Sequence, residues 1–135
     1  MGKHLGIDLL RYGANFFNKK KTISYDAAWN VILERKQASS KNVPGAFVDF
    51  DNSPRYGSEA KIYAQATPEK FQNYFSRLIC KARDEYKKDF IFLTAWNEWA
   101  EGSYLEPDKK YGYGYLEAVR NALQENGEFP DKNEK

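Results

Sequence analysis

Residues 90–102 have the sequence FIFLTAWNEWAEG, in which an apolar run leads into two tryptophans, an asparagine and two glutamates. The run over 90–95 lacks the alternation of apolar and polar side chains that marks a half-exposed strand, so it predicts a strand buried on both faces. Such strands occur in parallel sheets covered by helices, which place functional groups beyond the carboxyl ends of their strands. Residues 96–101 follow that end and are therefore the first candidates for a functional site.

Composition excludes several classes of function. The 21 basic and 19 acidic residues give a net charge of +2, which is too balanced to predict nucleic-acid binding. No segment approaches the ~20 apolar residues that span a bilayer, and the first ten residues do not resemble a secretory signal, so we expect no membrane span. Cys80 is the single cysteine, which rules out an internal disulfide and favours a cytoplasmic location. His4 is the single histidine and no Gly-rich phosphate loop is present, so we expect neither a metal nor a cofactor.

Capping residues and apolar periodicity predict the helices and strands. Ser24 and Thr67 are helix N-caps, Pro68 takes a first helical position, and Gly127 suits a left-handed helix end. The predicted elements, in chain order, are a helix over 25–36, a strand over 46–50, a helix from 68 whose apolar stripe reaches 86, a strand over 90–95 and a helix whose apolar face runs over 116–123. Residues 51–57 are rich in turn formers and predict a loop.

This alternation of helices and strands predicts an α/β fold with parallel strands and right-handed crossovers. Two strands do not make a stable parallel sheet, because both faces and both edges need partners, and a complete (β/α)₈ barrel takes about 250 residues. We therefore expect the C-terminal part of a (β/α)₈ TIM-like barrel, incomplete in this chain. The expected divisions are an untyped N-terminal segment of the truncated barrel over 1–24, the barrel portion over 25–127 and a charged tail over 128–135.

Glu98 and Glu101 form the central candidate site. Side chains three residues apart on a helical turn lie ~5–6 Å apart at Cβ, and retaining glycosidases hold their two carboxyl groups ~5–5.5 Å apart. The spacing therefore permits a cooperating acid pair if the backbone turns after Trp96. Trp96 and Trp99 offer flat apolar faces to a sugar ring, and Asn97 can both donate to and accept from sugar hydroxyls. An E-x-x-E pair also occurs by chance on helix surfaces, so a catalytic pair and an ordinary surface pair both remain open.

Five further residues are candidates for substrate binding, and all except Tyr104 have a plainer alternative. Asp51 and Asn52 follow the strand over 46–50, where hydroxyl-binding groups belong, but capping of a turn explains them equally well. Arg55 suits an anionic sugar or a phosphate, although a simple ion pair with Asp51 is favoured. Tyr104 and Glu106 extend the same loop, and Glu106 before a proline also fits an ordinary turn.

The chain resembles a known protein family. The string over 96–108, WNEWAEGSYLEPD, followed by Tyr111-Gly112 and by YLEA over 115–118, resembles the C-terminal signature of the WbsX-like proteins, which belong to the glycoside hydrolase family 99-like group. DNSPR over 51–55 and TPEKF over 67–71 are similar to that family in the same order and spacing. The resemblance covers roughly residues 25–125.

The resemblance implies a (β/α)₈ barrel that acts on glycosidic bonds in bacterial surface polysaccharide, such as O-antigen (lipopolysaccharide) or capsule, as a glycosyltransferase or an endo-glycosidase. By analogy with the related endo-mannosidases, Glu98 would assist the 2-hydroxyl of the substrate and Glu101 would be the acid and base. Phe50 departs from the family, which usually has a tryptophan there, and we expect the N-terminal half of the barrel to be missing from this chain.

The resemblance implies a glycan substrate, and the sequence leaves open whether another chain supplies the N-terminal half of the barrel. The alternative function is a non-catalytic glycan-binding or assembly module, or an inactive fragment of a disrupted gene.

Overall fold

The computed structural model describes residues 21–129. Its strands and α-helices, in chain order, are β1 (Lys21–Ser24), α1 (Tyr25–Glu34), β2 (Gly45–Phe47), α2 (Ser53–Tyr56), β3 (Lys61–Ala64), α3 (Pro68–Lys81), β4 (Phe92–Thr94), β5 (Asn97–Glu98), β6 (Ser103–Tyr104) and α4 (Gly114–Glu125). Short helical turns lie at Gly57–Glu59, Ala82–Tyr86 and Trp99–Glu101. The first 20 residues, with His4, and the tail from residue 130 lie outside the described part, so the predicted domain divisions stay predictions.

The strands form three small sheets of two strands each. Two of the sheets are parallel, with β1 paired to β3 and β2 paired to β4. The third is an antiparallel hairpin of β5 and β6. The predicted mixture of helices with parallel strands is therefore confirmed. These pairs do not close into a barrel within residues 21–129.

Local capping explains where the main helices begin and end. The Ser24 side chain accepts a hydrogen bond from Ala27 N at 3.3 Å, and Thr67 Oγ1 accepts one from Lys70 N at 3.2 Å. Both bonds satisfy backbone donors that the first helical turn leaves free. Gly127 has φ +71° just after α4, as expected for a left-handed helix end. None of the described helices is long and apolar enough to cross a membrane.

An aromatic core holds the helices to β2. Tyr25 and Trp29 of α1 are completely buried, and the Tyr25 hydroxyl donates to Val48 O at 2.7 Å, which ties α1 to the end of β2. α3 contributes the buried apolar stripe that its periodicity predicts, and α4 packs against α3. The buried residues of α3 and α4 are Pro68, Phe71, Phe75, Leu78, Ile79, Tyr115, Ala118 and Ala122.

The prediction of a strand buried on both faces is wrong for β4. Ile91 and Leu93 pack against the core, whereas Phe90 and Phe92 are 54% and 66% exposed. Successive side chains of a strand point to opposite faces, so one face of β4 rests on the core and the other is left uncovered by residues 21–129. The strand is also shorter than predicted.

Candidate functional site

The segment after β4 folds into a compact hairpin over 96–106. The carbonyl of Trp96 accepts hydrogen bonds from Leu105 N at 3.0 Å and from Glu106 N at 3.2 Å, which closes the hairpin at its base. β5 leads into the helical turn Trp99–Glu101, and Gly102 N donates to Trp99 O at 3.1 Å. Gly102 has φ +60°, a conformation that glycine adopts without steric cost. The backbone therefore turns after Trp96, which is the condition that a cooperating acid pair requires.

The hairpin is fixed to the loop that follows β2. Asp51 N donates to Glu101 O at 2.8 Å, and a Cβ atom on Gly102 would lie only 3.0 Å from Asp51 N. Asp51 Oδ1 accepts from Ser53 N at 2.8 Å, and Asn52 Oδ1 accepts from Lys61 N at 2.7 Å. Asp51 and Asn52 thus have the capping contacts that the plainer alternative predicts, and their place beside the hairpin keeps them candidates for substrate binding.

The two candidate acids lie in different elements. Glu101 belongs to the helical turn and is half-buried, while Glu98 ends β5 and is exposed. Arg55 Nη1 lies 3.6 Å from Glu101 Oε1, so the carboxylate paired with Arg55 is Glu101 and not Asp51 as favoured from the sequence. The register of the hairpin sets Asn97 opposite Tyr104 and Glu98 opposite the buried Ser103.

Trp99 is held in place by two neighbours from β6 and the following loop. Its indole stacks on the Tyr104 ring with centroids 3.8 Å apart and planes at 16°, and its Nε1–H donates to Glu106 Oε2 at 2.6 Å. The Tyr104 hydroxyl donates to Asp108 Oδ2 at 2.9 Å. Burial, together with the Asp108 carboxylate, raises the pKa of Tyr104 to about 12. Trp96 and Trp99 remain about half exposed, so both indoles can meet a ligand.

A cavity of about 290 Å³ lies beside the hairpin. Its lining residues are Asp49, Asp51, Pro54, Trp99, Gly102, Tyr104, Asp108, Lys110, Tyr111 and Tyr115. Of the predicted site residues, Asp51, Trp99 and Tyr104 line this cavity. Neither Glu98 nor Glu101 is among the described residues that form its wall. Within residues 21–129, no group of three or more His, Cys, Asp or Glu side chains could hold a metal ion.

Asp49 is a site residue that the sequence reasoning missed. It lies two residues after the end of β2 and is half-buried, and its Oδ1 accepts from Phe50 N at 2.7 Å. Burial raises the pKa of Asp49, although the Phe50 N–H and Lys110 oppose that shift. The available signal was its position two residues before Asp51, at the same carboxyl end of a strand. Tyr115 carried no such signal, because it looks like an ordinary apolar position of α4.

Comparison with protein families matches residues 5–119 to the family described as Glycosyltransferase WbsX. Two proteins from strains of Xanthomonas campestris pv. campestris, each named uncharacterized protein WxcX, are 39% identical to this chain over 82 residues. The matched segment is 59% of this chain and 12% of the relative, so the chain spans only a small part of the curated relatives it matches. No solved structure gives a significant match.

Proposed function

We propose that this chain, which belongs to the WbsX glycosyltransferase family, acts on glycosidic bonds of bacterial surface polysaccharide such as O-antigen or capsule. The family itself supports a carbohydrate-related role. The observation that carries the proposal is the hairpin over 96–106, which presents two half-exposed indoles beside carboxylates at the carboxyl end of β4. Parallel sheets place their functional groups at that end.

The hairpin has the parts that hold a sugar ring. Trp99 is fixed by Tyr104 and Glu106, so its ring is already oriented when a ligand arrives. A surface that is ordered beforehand loses less side-chain entropy on binding. In the proposed site Trp96 and Trp99 lie against the C–H faces of the sugar, and Asn97 exchanges hydrogen bonds with its hydroxyls.

The proposed chemistry uses the two glutamates of the hairpin. In the first step Glu101 gives a proton to the leaving oxygen, while Glu98 takes the proton of the substrate's 2-hydroxyl and that oxygen displaces the leaving group from the anomeric carbon. In the second step Glu101 takes a proton from the acceptor, the acceptor oxygen attacks the anomeric carbon and breaks its bond to the 2-oxygen, and Glu98 returns the proton to the 2-oxygen. Arg55, beside Glu101, is placed to orient that carboxylate. Asp51, Asn52, Tyr104 and Glu106 complete the proposed substrate-binding set.

The uncovered face of β4 supports a larger assembly around the site. Phe90 and Phe92 contact each other edge to face, with ring centroids 5.8 Å apart, and both are exposed. Contiguous apolar surface of this kind marks an interaction site or an incomplete core. We propose that residues 25–127 are the C-terminal portion of a (β/α)₈ barrel and that further strands, from the same polypeptide or another chain, cover this face.

Glutamine substitution tests the acid pair. We expect Glu98→Gln and Glu101→Gln each to lower turnover by at least ~10²–10⁴-fold, the usual contribution of a positioned acid or base, while polysaccharide binding persists. The substrate is the capsule and lipopolysaccharide extracted from the source bacterium, and mass spectrometry of released or extended oligosaccharides measures turnover. Glu117→Gln, an exposed carboxylate on α4, is the control.

Near-full turnover by either hairpin variant would reject the assignment of Glu98 and Glu101 as the catalytic pair.

A second candidate function, a non-catalytic glycan-binding or assembly module, is favoured by one observation: the cavity beside Trp99 is lined by neither glutamate. This alternative predicts that the wild-type protein binds the polysaccharide and that the mass spectrum of the polysaccharide stays unchanged.

A further inference from the structure

We infer that the cavity lined by Tyr115 and Asp49 is a binding subsite for one neutral sugar unit, in which these two side chains contact neighbouring hydroxyl groups. The cavity is called the Tyr115 cavity below. The inference rests on the proposed function only in taking the ligand to be a glycan. It assigns a second binding position, separate from Glu98 and Glu101, because the Trp99 ring forms part of the wall and the two glutamates do not.

The Tyr115 hydroxyl is the observation that points to a ligand. Tyr115 is only 6% exposed and lines the cavity, and its hydroxyl has no hydrogen-bond partner among the described residues. Edge-to-face contacts with Phe71 at 5.8 Å and Tyr111 at 5.6 Å restrict the ring. Buried polar groups in folded proteins are almost always hydrogen-bonded, and Tyr115 lines the cavity, so we take a ligand in the cavity as the missing partner of its hydroxyl.

Asp49 supplies the complementary acceptor. Its Oδ1 is engaged by Phe50 N, whereas Oδ2 accepts no hydrogen bond from residues 21–129. Burial, followed by the charge of Asp49, raises the pKa of Tyr115, so the hydroxyl remains a donor at neutral pH. A sugar hydroxyl both donates and accepts, so two adjacent hydroxyls satisfy Tyr115 and Asp49 together.

The other polar groups of the cavity make contacts with neighbouring residues and shape the wall. Asp51 Oδ1 accepts from Ser53 N, and Asp108 accepts from the Tyr104 hydroxyl. The Lys110 ammonium lies 4.5 Å from the centroid of the Tyr111 ring. The charge of Asp49, and not that of Asp51, is among those that act on the Tyr115 hydroxyl, so Tyr115 and Asp49 form the proposed pair.

Charge and size narrow the ligand class. The lining contains three carboxylates, from Asp49, Asp51 and Asp108, against the single ammonium of Lys110. This balance opposes a uronic acid or a sugar phosphate, because like charges repel in a partly buried site. A volume of about 290 Å³ lies at the lower end of ligand pockets, which suits one sugar ring.

Three neutral methyl α-glycosides, of glucose, mannose and galactose, test the subsite by saturation-transfer NMR titration against the full chain. The acidic counterpart is methyl α-glucuronoside. We expect at least one neutral glycoside to bind and the glucuronoside to bind more weakly than the glucoside.

Tyr115→Phe should lower the affinity for the neutral glycoside about 3- to 10-fold, as expected for the loss of one hydrogen bond, and Asp49→Asn should also lower it. Tyr113→Phe, at an exposed neighbouring tyrosine, is the matched control and should bind like the wild type.

The thermal midpoint separates loss of binding from loss of folding. Tyr115→Phe removes only an unpaired hydroxyl, so it should leave the midpoint unchanged or raise it. Absence of binding by all three neutral glycosides, or wild-type affinity in Tyr115→Phe, would overturn the subsite and leave the proposed function standing. Conversely, glycoside binding by a wild-type chain that leaves the extracted polysaccharide unaltered would count against the catalytic proposal and support the subsite.

Discussion

At the scale of single residues, the site depends on the close approach of Gly102 to Asp51. The backbone of Gly102 is left-handed, and the space where a side chain would begin is filled by the backbone and Cβ of Asp51. The hydrogen bond from Asp51 N to Glu101 O fixes the same contact. One residue thus determines how the hairpin with the two acids is placed against the loop after β2.

Replacement of Gly102 by alanine should therefore disturb both backbone and packing. A non-glycine residue in a left-handed conformation costs about 1–3 kcal/mol, and the contact at 3.0 Å with Asp51 N adds to that cost. We expect Gly102→Ala to lower the free energy of unfolding in urea by more than Gly112→Ala. Gly112 has a similar φ of +56° but no atom within 4 Å of an added Cβ. The difference between the two variants therefore measures the cost of the contact between the added Cβ and Asp51. Equal losses in the two variants would show that the contact with Asp51 is unimportant.

At the scale of secondary-structure elements, a polar contact joins α1 to α3 outside the aromatic core. Asp26 accepts from Lys70 Nζ at 2.6 Å and from the Tyr74 hydroxyl at 2.8 Å. The Lys70 hydrogen bond, followed by that of Tyr74, lowers the pKa of Asp26 below its ordinary value of 3.8. A carboxyl group whose pKa is lowered by folding stabilises the fold above its unfolded pKa and ceases to do so as the pH falls through its folded pKa.

Asp26→Asn should accordingly have an effect that depends on pH. At neutral pH we expect the variant to lose about 0.2–1 kcal/mol of unfolding free energy, the range for exposed ion pairs screened by solvent. The stability difference from the wild type should begin to shrink as the pH falls below 3.8, and should shrink further as the pH passes the lower pKa of the folded Asp26 carboxyl. Urea unfolding at pH 7 and at pH 3 measures this difference in unfolding free energy, and Glu34→Gln, at an exposed carboxylate of α1, is the control. A difference that stays constant between the two pH values would contradict the assigned role.

The sequence predicted those elements whose signals are local. Ser24, Thr67 and Gly127 mark helix ends through contacts with their own neighbours, and the structure confirms each of them. β1 and β3 were missed because a strand of four residues carries no readable period, and each needs the other to form. The exposure of Phe92 was missed because an apolar run does not reveal which of its faces is covered.

The candidate site was predictable to the extent that it lies in one hairpin. Trp99, Tyr104 and Glu106 are close in the chain, so their grouping follows from sequence, and the structure brings them together. The Tyr115 cavity joins the end of β2 to the start of α4, so only tertiary packing reveals the proximity of Asp49 and Tyr115.

At the scale of the whole molecule, the described residues combine a well-packed aromatic core with one open face. α1, α3 and α4 surround the core, and the hairpin projects from the carboxyl end of β4. Trp96 and Trp99, the two tryptophans of the hairpin, are 54% and 47% exposed, whereas Trp29 is completely buried. The chain contains three tryptophans in all. The two that a soluble quencher can reach therefore report on the proposed glycan site, and the buried one reports on the core.

Acrylamide quenching of tryptophan fluorescence, with and without the extracted polysaccharide, is the most direct test that the glycan occupies the hairpin. We predict that the polysaccharide lowers the quenching constant of the wild type. It should have no effect on the Trp96→Phe, Trp99→Phe double variant, in which Trp29 alone emits. A quenching constant that the polysaccharide leaves unchanged in the wild type, at concentrations where the polysaccharide is bound, would contradict a glycan site at this hairpin.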